Sequence, residues 1–225
     1  MKTKEDKPYL EIAPLKLTAA QKLYVGLKVV IDFFIGLIGV IVFAIPMLII
    51  AIAIKLDSPG PVLLKQKRIG YKNKDFTLYK FRSMNNNCNH YVAKNEYQNE
   101  AKSQITRVGR ILRKTSLDEL PQFFNLLTGK MSLIGYRPGM RTEPEMHNAR
   151  VAFNLFETRP GITGWAQING RDALAANPTL KVQYDAYYMK HISPWLDIKI
   201  FFITIVKVLR ADDIVENNNV RSKKV

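Results

Sequence analysis

The chain has 225 residues, a formal net charge of +15 and a pI of about 9.8. That length allows one sizeable domain, or one domain with appendages, and the charge calls for an anionic partner: nucleic acid, anionic lipid or a phosphorylated small molecule. The single cysteine, Cys88, excludes an internal disulfide and fits a reducing compartment, and the scattered His90, His147 and His191 form no zinc-ligand pattern with it.

Residues 1–20 are polar and basic, with Pro8 and Pro14, and read as an arm. Residues 21–56 read as a membrane-inserted helix. Phe33 to Ile54 carries no charge, and Asp32 is the only charge between Lys28 and Lys55. An uncharged run of about 20 residues is the signal for insertion. It is too long for the apolar part of a signal peptide, and a basic, polar segment precedes it. The alternative, a soluble core helix, would need burial on every face. Pro46, near the middle, removes a backbone donor and bends the helix. Basic residues flank both ends: Lys16, Lys22 and Lys28 before, then Lys55, Lys65, Lys67 and Arg68 after. Positive charge marks the cytoplasmic side, so a kinked, re-entrant helix that enters and leaves by one face is expected, with a straight span as the alternative.

Residues 57–212 read as the main domain, on the cytosolic face with interfacial helices, and 213–225 as a polar tail. The breaker cluster Asp57-Ser-Pro-Gly-Pro61 ends the membrane segment. Val62 to Arg68 and Phe76 to Arg82 are expected to form two strands around a turn. Met84 to Gln104 is polar, Asn-rich and without periodicity, hence a loop. Helices are expected over Ile105 to Lys114, Glu143 to Glu157, Leu180 to His191 and Trp195 to Arg210, with an extended piece from Met131 to Gly139. The last helix carries Leu196, Ile200, Ile203, Val206 and Leu209 in register and reads as a core or an interfacial membrane helix. The fold class expected is α+β: helix-rich and membrane-associated, with a small hairpin or sheet. No internal repeat is visible.

The densest chemistry lies in Thr115 to Lys130. Ser116-Leu-Asp118-Glu119 reads as a capping-box helix start, with Leu117, Leu120, Phe124 and Leu127 as one buried stripe. Asp118 and Glu119 then sit in the first turn, where backbone N–H groups favour ionised carboxylates. A carboxylate beside a neighbour able to hold a divalent cation can attack phosphorus. The plain alternative is capping for its own sake.

Five strings in order then carry a resemblance: Tyr79-Lys-Phe-Arg-Ser-Met84; Arg113-Lys-Thr-Ser-Leu-Asp-Glu-Leu-Pro-Gln122; Arg137-Pro138; Arg159-Pro-Gly-Ile-Thr-Gly164 with Gln167 and Asn169-Gly-Arg171; and Tyr184-Asp-Ala-Tyr-Tyr188. Together they resemble the bacterial sugar transferases, the monotopic polyprenyl-phosphate phosphoglycosyl transferases, in their minimal catalytic form. The resemblance implies transfer of a sugar-1-phosphate from a UDP-sugar to undecaprenyl phosphate, with release of UMP and a requirement for Mg²⁺. It implies Asp118 as nucleophile through a covalent phosphosugar intermediate, Glu119 as metal ligand, and a place on the cytoplasmic face of the bacterial inner membrane. It starts exopolysaccharide, capsule, O-antigen or glycoconjugate synthesis. Arg113, Arg137, Arg159 and Arg171 are candidate phosphate ligands through their planar forks. Lys80 is a candidate phosphate contact, Gln167 a candidate for orienting the nucleotide, and Asp185 matches a family carboxylate near the active site or pairs locally. Two positions depart from the family pattern. Ile45, not serine, precedes the kink proline, and Tyr136 replaces a proline before Arg137. The competing readings are a non-catalytic basic membrane adaptor and a nucleic-acid binder; the apolar run and the lack of a binding motif oppose the latter. Membrane lipid is an expected partner, and the oligomeric state, homo-oligomer included, is open.

Overall fold

The computed structural model describes residues 13–85, 104–169 and 178–210. Expectations placed on the N-terminal arm, the Asn-rich loop with Cys88, Arg171 and the polar loop after it, and the C-terminal tail fall wholly or largely outside those residues.

The chain opens with two helices, α1 (Ala19–Val42) and α2 (Ala44–Asp57). Thr18 starts α1 with a capping box: its Oγ1 accepts from the Gln21 N–H, and Gln21 Oε1 accepts from the Thr18 N–H. The expected bend is present and falls at Phe43, three residues before Pro46. Pro46 has no N–H for the Val42 carbonyl, and its ring crowds that carbonyl, so the break lies one turn upstream of the proline.

Helix α1 inverts the usual amphipathic pattern, whereas α2 buries Ile54. The residues of α1 that are buried are Lys28, Asp32, Gly36 and Gly39, spaced along one stripe. Leu23, Leu27, Val30, Phe34, Ile38, Ile41 and Val42 face outward, as do Ile45, Leu48, Ile49, Ile52 and Leu56 of α2. Only 22% of the most apolar stretch of α1 is buried inside the protein; its polar and small side chains are the most buried, while Val25 and Ile35 pack on the core edge. Both ends of the pair return to one domain. At the start, Gln21 Nε2 donates to the Lys190 carbonyl at 3.0 Å. At the finish, Arg82 donates to the carbonyls of Ser58 (2.6 Å) and Pro59 (2.8 Å), and Asp57 accepts from the Val108 N–H (3.0 Å).

The expected hairpin is β1 (Leu63–Ile69) and β2 (Asp75–Phe81), antiparallel with Gln66 opposite Leu78. Helix α3 (Arg107–Thr115) leads to a 3₁₀ turn, Leu117–Gln122, and a short α4 (Phe123–Leu127). This corrects the sequence reading. Ser116 lies in the left-handed region (φ 57°) and makes no capping bond with its side chain. Pro121 is the reason: it brings no N–H and disfavours the α conformation at Leu120, so a tight turn replaces the expected helix start. The buried stripe shifts with it, since Leu126 is 1% exposed and Phe124 is 40% exposed.

Strand β3 (Ser132–Ile134) pairs in parallel with β4 (Gly161–Thr163). The chains approach so closely that a side-chain carbon at Gly161 or Gly164 would collide with the Gly135 backbone, which explains the glycines of the Gly161-Ile-Thr-Gly164 string. Helices α5 (Pro144–Ala152), α6 (Trp165–Ile168), α7 (Pro178–Lys190) and α8 (Pro194–Arg210) complete the domain. The expected helix over 143–157 is shorter, ending in a 3₁₀ turn at Leu155–Glu157 after Asn154 adopts φ 61°. Met146 and Phe153 pack with Val182, Ala186 and Met189, joining α5 to α7. Ile134, Tyr188 and Ile200 join β3, α7 and α8. Only the first half of α8 is docked; Val206 and Leu209 face outward with Phe202. The α+β class holds, with helices dominant over two two-stranded sheets among the described residues.

Candidate active site

Three elements converge on Asp118 and Glu119. The 3₁₀ turn carries the two carboxylates, both buried. Strand β2 brings Lys80, and the segment after β3 brings Arg137. Glu119 Oε1 accepts from Lys80 Nζ at 2.8 Å and from Arg137 Nη2 at 3.1 Å. Arg137 keeps 29% of its side chain exposed, so the cluster opens to solvent on its side.

The rigidity of this corner comes from Asn125 on α4, which is 1% exposed. Its Oδ1 accepts from the Tyr79 N–H at 3.1 Å, and its Nδ2 donates to the Thr77 carbonyl at 2.7 Å. That carboxamide stitches the helix following Glu119 to the strand carrying Lys80. Burial pushes the Lys80 ammonium below its ordinary pKa, and the Glu119 charge opposes that shift. Arg137 moves the other way, raised chiefly by the Glu119 carboxylate. Two cations fixed against one buried carboxylate, next to a second, suit recognition of a phosphate group.

The remaining predicted residues are placed as follows. Arg113 is half-buried in the last turn of α3 and makes no ion pair with a described residue. Arg159 serves the fold: its Nε donates to the Gly129 carbonyl at 2.8 Å, and its guanidinium lies 4.8 Å from the Tyr71 ring centre. Gln167, on α6, has both amide atoms buried without a hydrogen bond. Asp185 is buried on α7 and bound by Arg150 Nη2 at 2.8 Å, so it pairs with α5 and does not touch Asp118–Glu119. Arg171 lies outside the described residues. Pro46 sits in the first turn of α2, at the bend.

The sequence reading missed Arg150, Arg68, Asn125 and the pair Lys28 and Asp32. A signal existed for Arg150, which falls in helical register with Met146 and Phe153 and so had to enter the core with a partner. Lys28 and Asp32, four residues apart on an apolar helix, are costly in lipid and equally called for protein partners. Asn125 and Arg68 gave no signal separable from a turn and a surface strand.

Adjacent buried carboxylates in a cationic corner, in a helix-rich fold with a bent helical pair that is apolar on its outer side, suit the handling of phosphate groups. Comparison with known sequences sharpens that reading: the bacterial sugar transferase family matches residues 23–211, and the chain belongs to it. The chain is 43% identical over 190 residues to the UDP-N-acetylgalactosamine-undecaprenyl-phosphate N-acetylgalactosaminephosphotransferase of Aeromonas hydrophila, covering 83% of this chain and 44% of that protein. It is 44% identical over 164 residues to the UDP-glucose:undecaprenyl-phosphate glucose-1-phosphate transferase of Escherichia coli K12, covering 70% of this chain and 35% of that protein. A third relative, the exopolysaccharide production protein PSS of Rhizobium leguminosarum, is 39% identical over 192 residues, covering 81% of this chain and 95% of that protein. The chain thus spans less than half the length of the first two relatives and nearly all of the third.

Proposed function

We propose that this protein transfers a sugar-1-phosphate from a UDP-sugar to undecaprenyl phosphate, releasing UMP. The observation that carries the reading is the buried Asp118–Glu119 turn with Glu119 fixed by Lys80 and Arg137. The names of the Aeromonas and E. coli relatives supply the substrate class.

In the first step an Asp118 carboxylate oxygen attacks the phosphorus that bears the sugar. The bond from that phosphorus to the oxygen of UMP breaks, and UMP leaves with the electron pair. In the second step an oxygen of undecaprenyl phosphate attacks the same phosphorus and expels the Asp118 carboxylate, giving the lipid diphosphate sugar. Two displacements at one centre let a soluble donor and a lipid acceptor use the site in turn. Lys80 and Arg137 hold Glu119 in place and offset negative charge as the diphosphate enters. Mg²⁺ fits the donor set. It is held elsewhere by one or two carboxylates plus substrate phosphates, and Asp118 and Glu119 offer two adjacent carboxylates. No group of three or more His, Cys, Asp or Glu suited to a metal occurs among the described residues. Glu119 is the residue that would hold the ion, together with the substrate's phosphates, and the ion would supply charge neutralisation at the diphosphate.

The seat in the membrane rests on the outward apolar faces of α1, α2 and the second half of α8. The return of both ends of the α1–α2 pair to one domain supports a re-entrant hairpin on the cytoplasmic face. The reading is tested by Asp118→Asn, assayed as UMP release from a panel of UDP-sugars with undecaprenyl phosphate and Mg²⁺. A loss of at least about 10³-fold is expected, on the scale of removing a nucleophile. Turnover retained in full would refute the assignment and return the turn to a capping role.

A further inference from the structure

Among the described residues, the corner around Glu119 holds one cation more than it has carboxylates. Five cations, Lys80, Arg137, Arg68, Arg150 and Lys181, act on one another around four carboxylates, Asp118, Glu119, Glu143 and Asp185. Lys80 and Arg137 are matched by Glu119, and Arg150 by Asp185. Arg68 and Lys181 form no ion pair with a described residue.

Arg68 stands near the end of β1, half-buried. Its Nη2 donates to Gln66 Oε1 at 2.9 Å and its Nη1 reaches the Pro138 carbonyl at 3.4 Å, both neutral acceptors. Its Nε is buried with no partner. The next residue, Ile69, donates its N–H to the Gly139 carbonyl at 3.0 Å, which fixes Arg68 against the segment that carries Arg137. Lys181 lies one helical turn before Asp185 on α7, so both share a face, and Arg150 already occupies Asp185. From Lys181 the sequence of neighbours runs through Asp185 and Arg150 to the Tyr136–Gly139 segment, which itself carries Arg137 and whose Pro138 carbonyl accepts from Arg68. Burial, then repulsion from Arg137, lowers the Arg68 pKa to about 10, and burial, then repulsion from Arg150, lowers Lys181 to about 8. A half-buried cation with no ion pair among the described residues works against folding, and a neutral amide would fit the same space at less cost. The charge makes sense when an anion arrives.

We propose that Arg68 and Lys181, together with Arg137, form a seat for a phosphate-ester anion beside the Asp118–Glu119 turn. Arg68 supplies the planar fork and Lys181 a mobile point charge. Which phosphate sits there, that of the nucleotide or that of the lipid, rests on the transferase reading; the excess of cations does not.

The test uses the full chain in detergent micelles, with Lys181→Gln, Arg68→Gln and, as a control of equal charge change, Lys67→Gln on the exposed face of β1. Binding of inorganic pyrophosphate, UMP, uridine and a short-chain polyprenyl phosphate is measured by calorimetry. Lys181→Gln is expected to weaken pyrophosphate binding about tenfold to a hundredfold, the range for a lost hydrogen bond to a charged group. Its unfolding midpoint without ligand should be unchanged or higher, which a merely structural lysine would not give. Arg68→Gln should weaken binding similarly, and Lys67→Gln should not. A selective loss for UMP places the nucleotide phosphate in the seat, and a selective loss for the polyprenyl phosphate places the lipid's. Absence of pyrophosphate binding by the unaltered chain, or equal affinity in all three variants, overturns the seat. The transferase reading fails separately, if no UDP-sugar yields UMP while pyrophosphate still binds in a Lys181-dependent way.

Discussion

Two buried carboxylates, Asp197 and Glu119, each hold a lysine, yet their surroundings differ in kind. Asp197, on α8, accepts from Lys28 Nζ and from the Tyr24 hydroxyl (2.7 Å) on one oxygen, and from the Tyr188 hydroxyl (2.7 Å) on the other. Nearby on α1, Asp32 accepts from the Leu133 N–H at 2.9 Å. One lysine and two phenols serve both oxygens of Asp197, and together they clasp α1 to the domain. Glu119 instead receives Lys80 and Arg137 on Oε1, stands next to a second carboxylate, and lies in a corner where cations exceed carboxylates among the described residues. The hydrogen-bonded Lys28–Asp197 pair holds helix to domain, whereas the Glu119 cluster is the one to which the proposed anion seat belongs.

Removing the charge from each carboxylate should split the two cases. Glu119→Gln is expected to lower turnover by about 10²–10³-fold, the scale of one lost electrostatic stabiliser, with the α1–α2 pair still docked. Asp197→Asn should do the reverse. It leaves the Lys28 ammonium with Asp32 as its remaining carboxylate, and breaking a buried pair from one side costs at most about 3–5 kcal/mol of stability, while the folded fraction turns over at its normal rate. Lys28→Met combined with Asp197→Leu should recover much of that loss, because both charges go together. Unfolding in micelles and UMP release measured on the same samples decide it. Equal effects of the Glu119 and Asp197 variants on both readouts would dissolve the distinction.

The α1–α2 break, the hairpin, α3, α7 and α8 were legible in the sequence because each rests on local signals: an apolar run with one proline, alternation around a turn, a helical repeat. The Asp118–Glu119 turn was legible as candidate chemistry and misread as geometry. Asp118 and Glu119 stand out as residues, but Pro121 overrode the capping pattern of Ser116, and the buried face moved from Phe124 to Leu126. Lys80 and Arg137 were picked as phosphate ligands, and both meet Glu119. What stayed hidden depends on long-range pairing: Asn125 on the β2 backbone, Arg150 on Asp185, Arg82 on the end of α2. Nothing within a few residues of these side chains fixes the partner, so no local pattern could reveal it.

The link between clasp and site runs through α4. Phe123 follows the Asp118–Glu119 turn directly, its ring lies in the notch left by Gly39 of α1, and it stacks on Phe43 at the bend, 5.7 Å between centres. Gly39→Ala puts a methyl group into that ring, so overpacking of about 1–3 kcal/mol is expected. The disturbance should reach both regions, lowering the unfolding midpoint and turnover together. A pairing of Gly39→Ala with Phe123→Leu, which returns space to the notch, should restore part of each. If the variant changes stability alone, the membrane helix and the Asp118–Glu119 turn are mechanically separate.

The smallest expected effect is a slope with pH. Native Lys181 has a pKa of about 8 against an ordinary value of 10.5, so between those values the unfolded chain binds more protons than the native one. Stability contributed at this position therefore rises with pH across that window, and the penalty of the buried charge is fully present below it. Lys80, also lowered by burial, acts in the same direction, so the comparison must be with Lys181→Gln, which removes one group's share and leaves the other. The variant should be the more stable below pH 8, and its advantage over the unaltered chain should shrink as pH rises to about 10. Asp197→Asn, in the clasp, should leave this slope as it is. A constant gap between Lys181→Gln and the unaltered chain from pH 7 to 10 would mean that Lys181 keeps its proton, and that the positive excess in the corner is balanced in the folded protein.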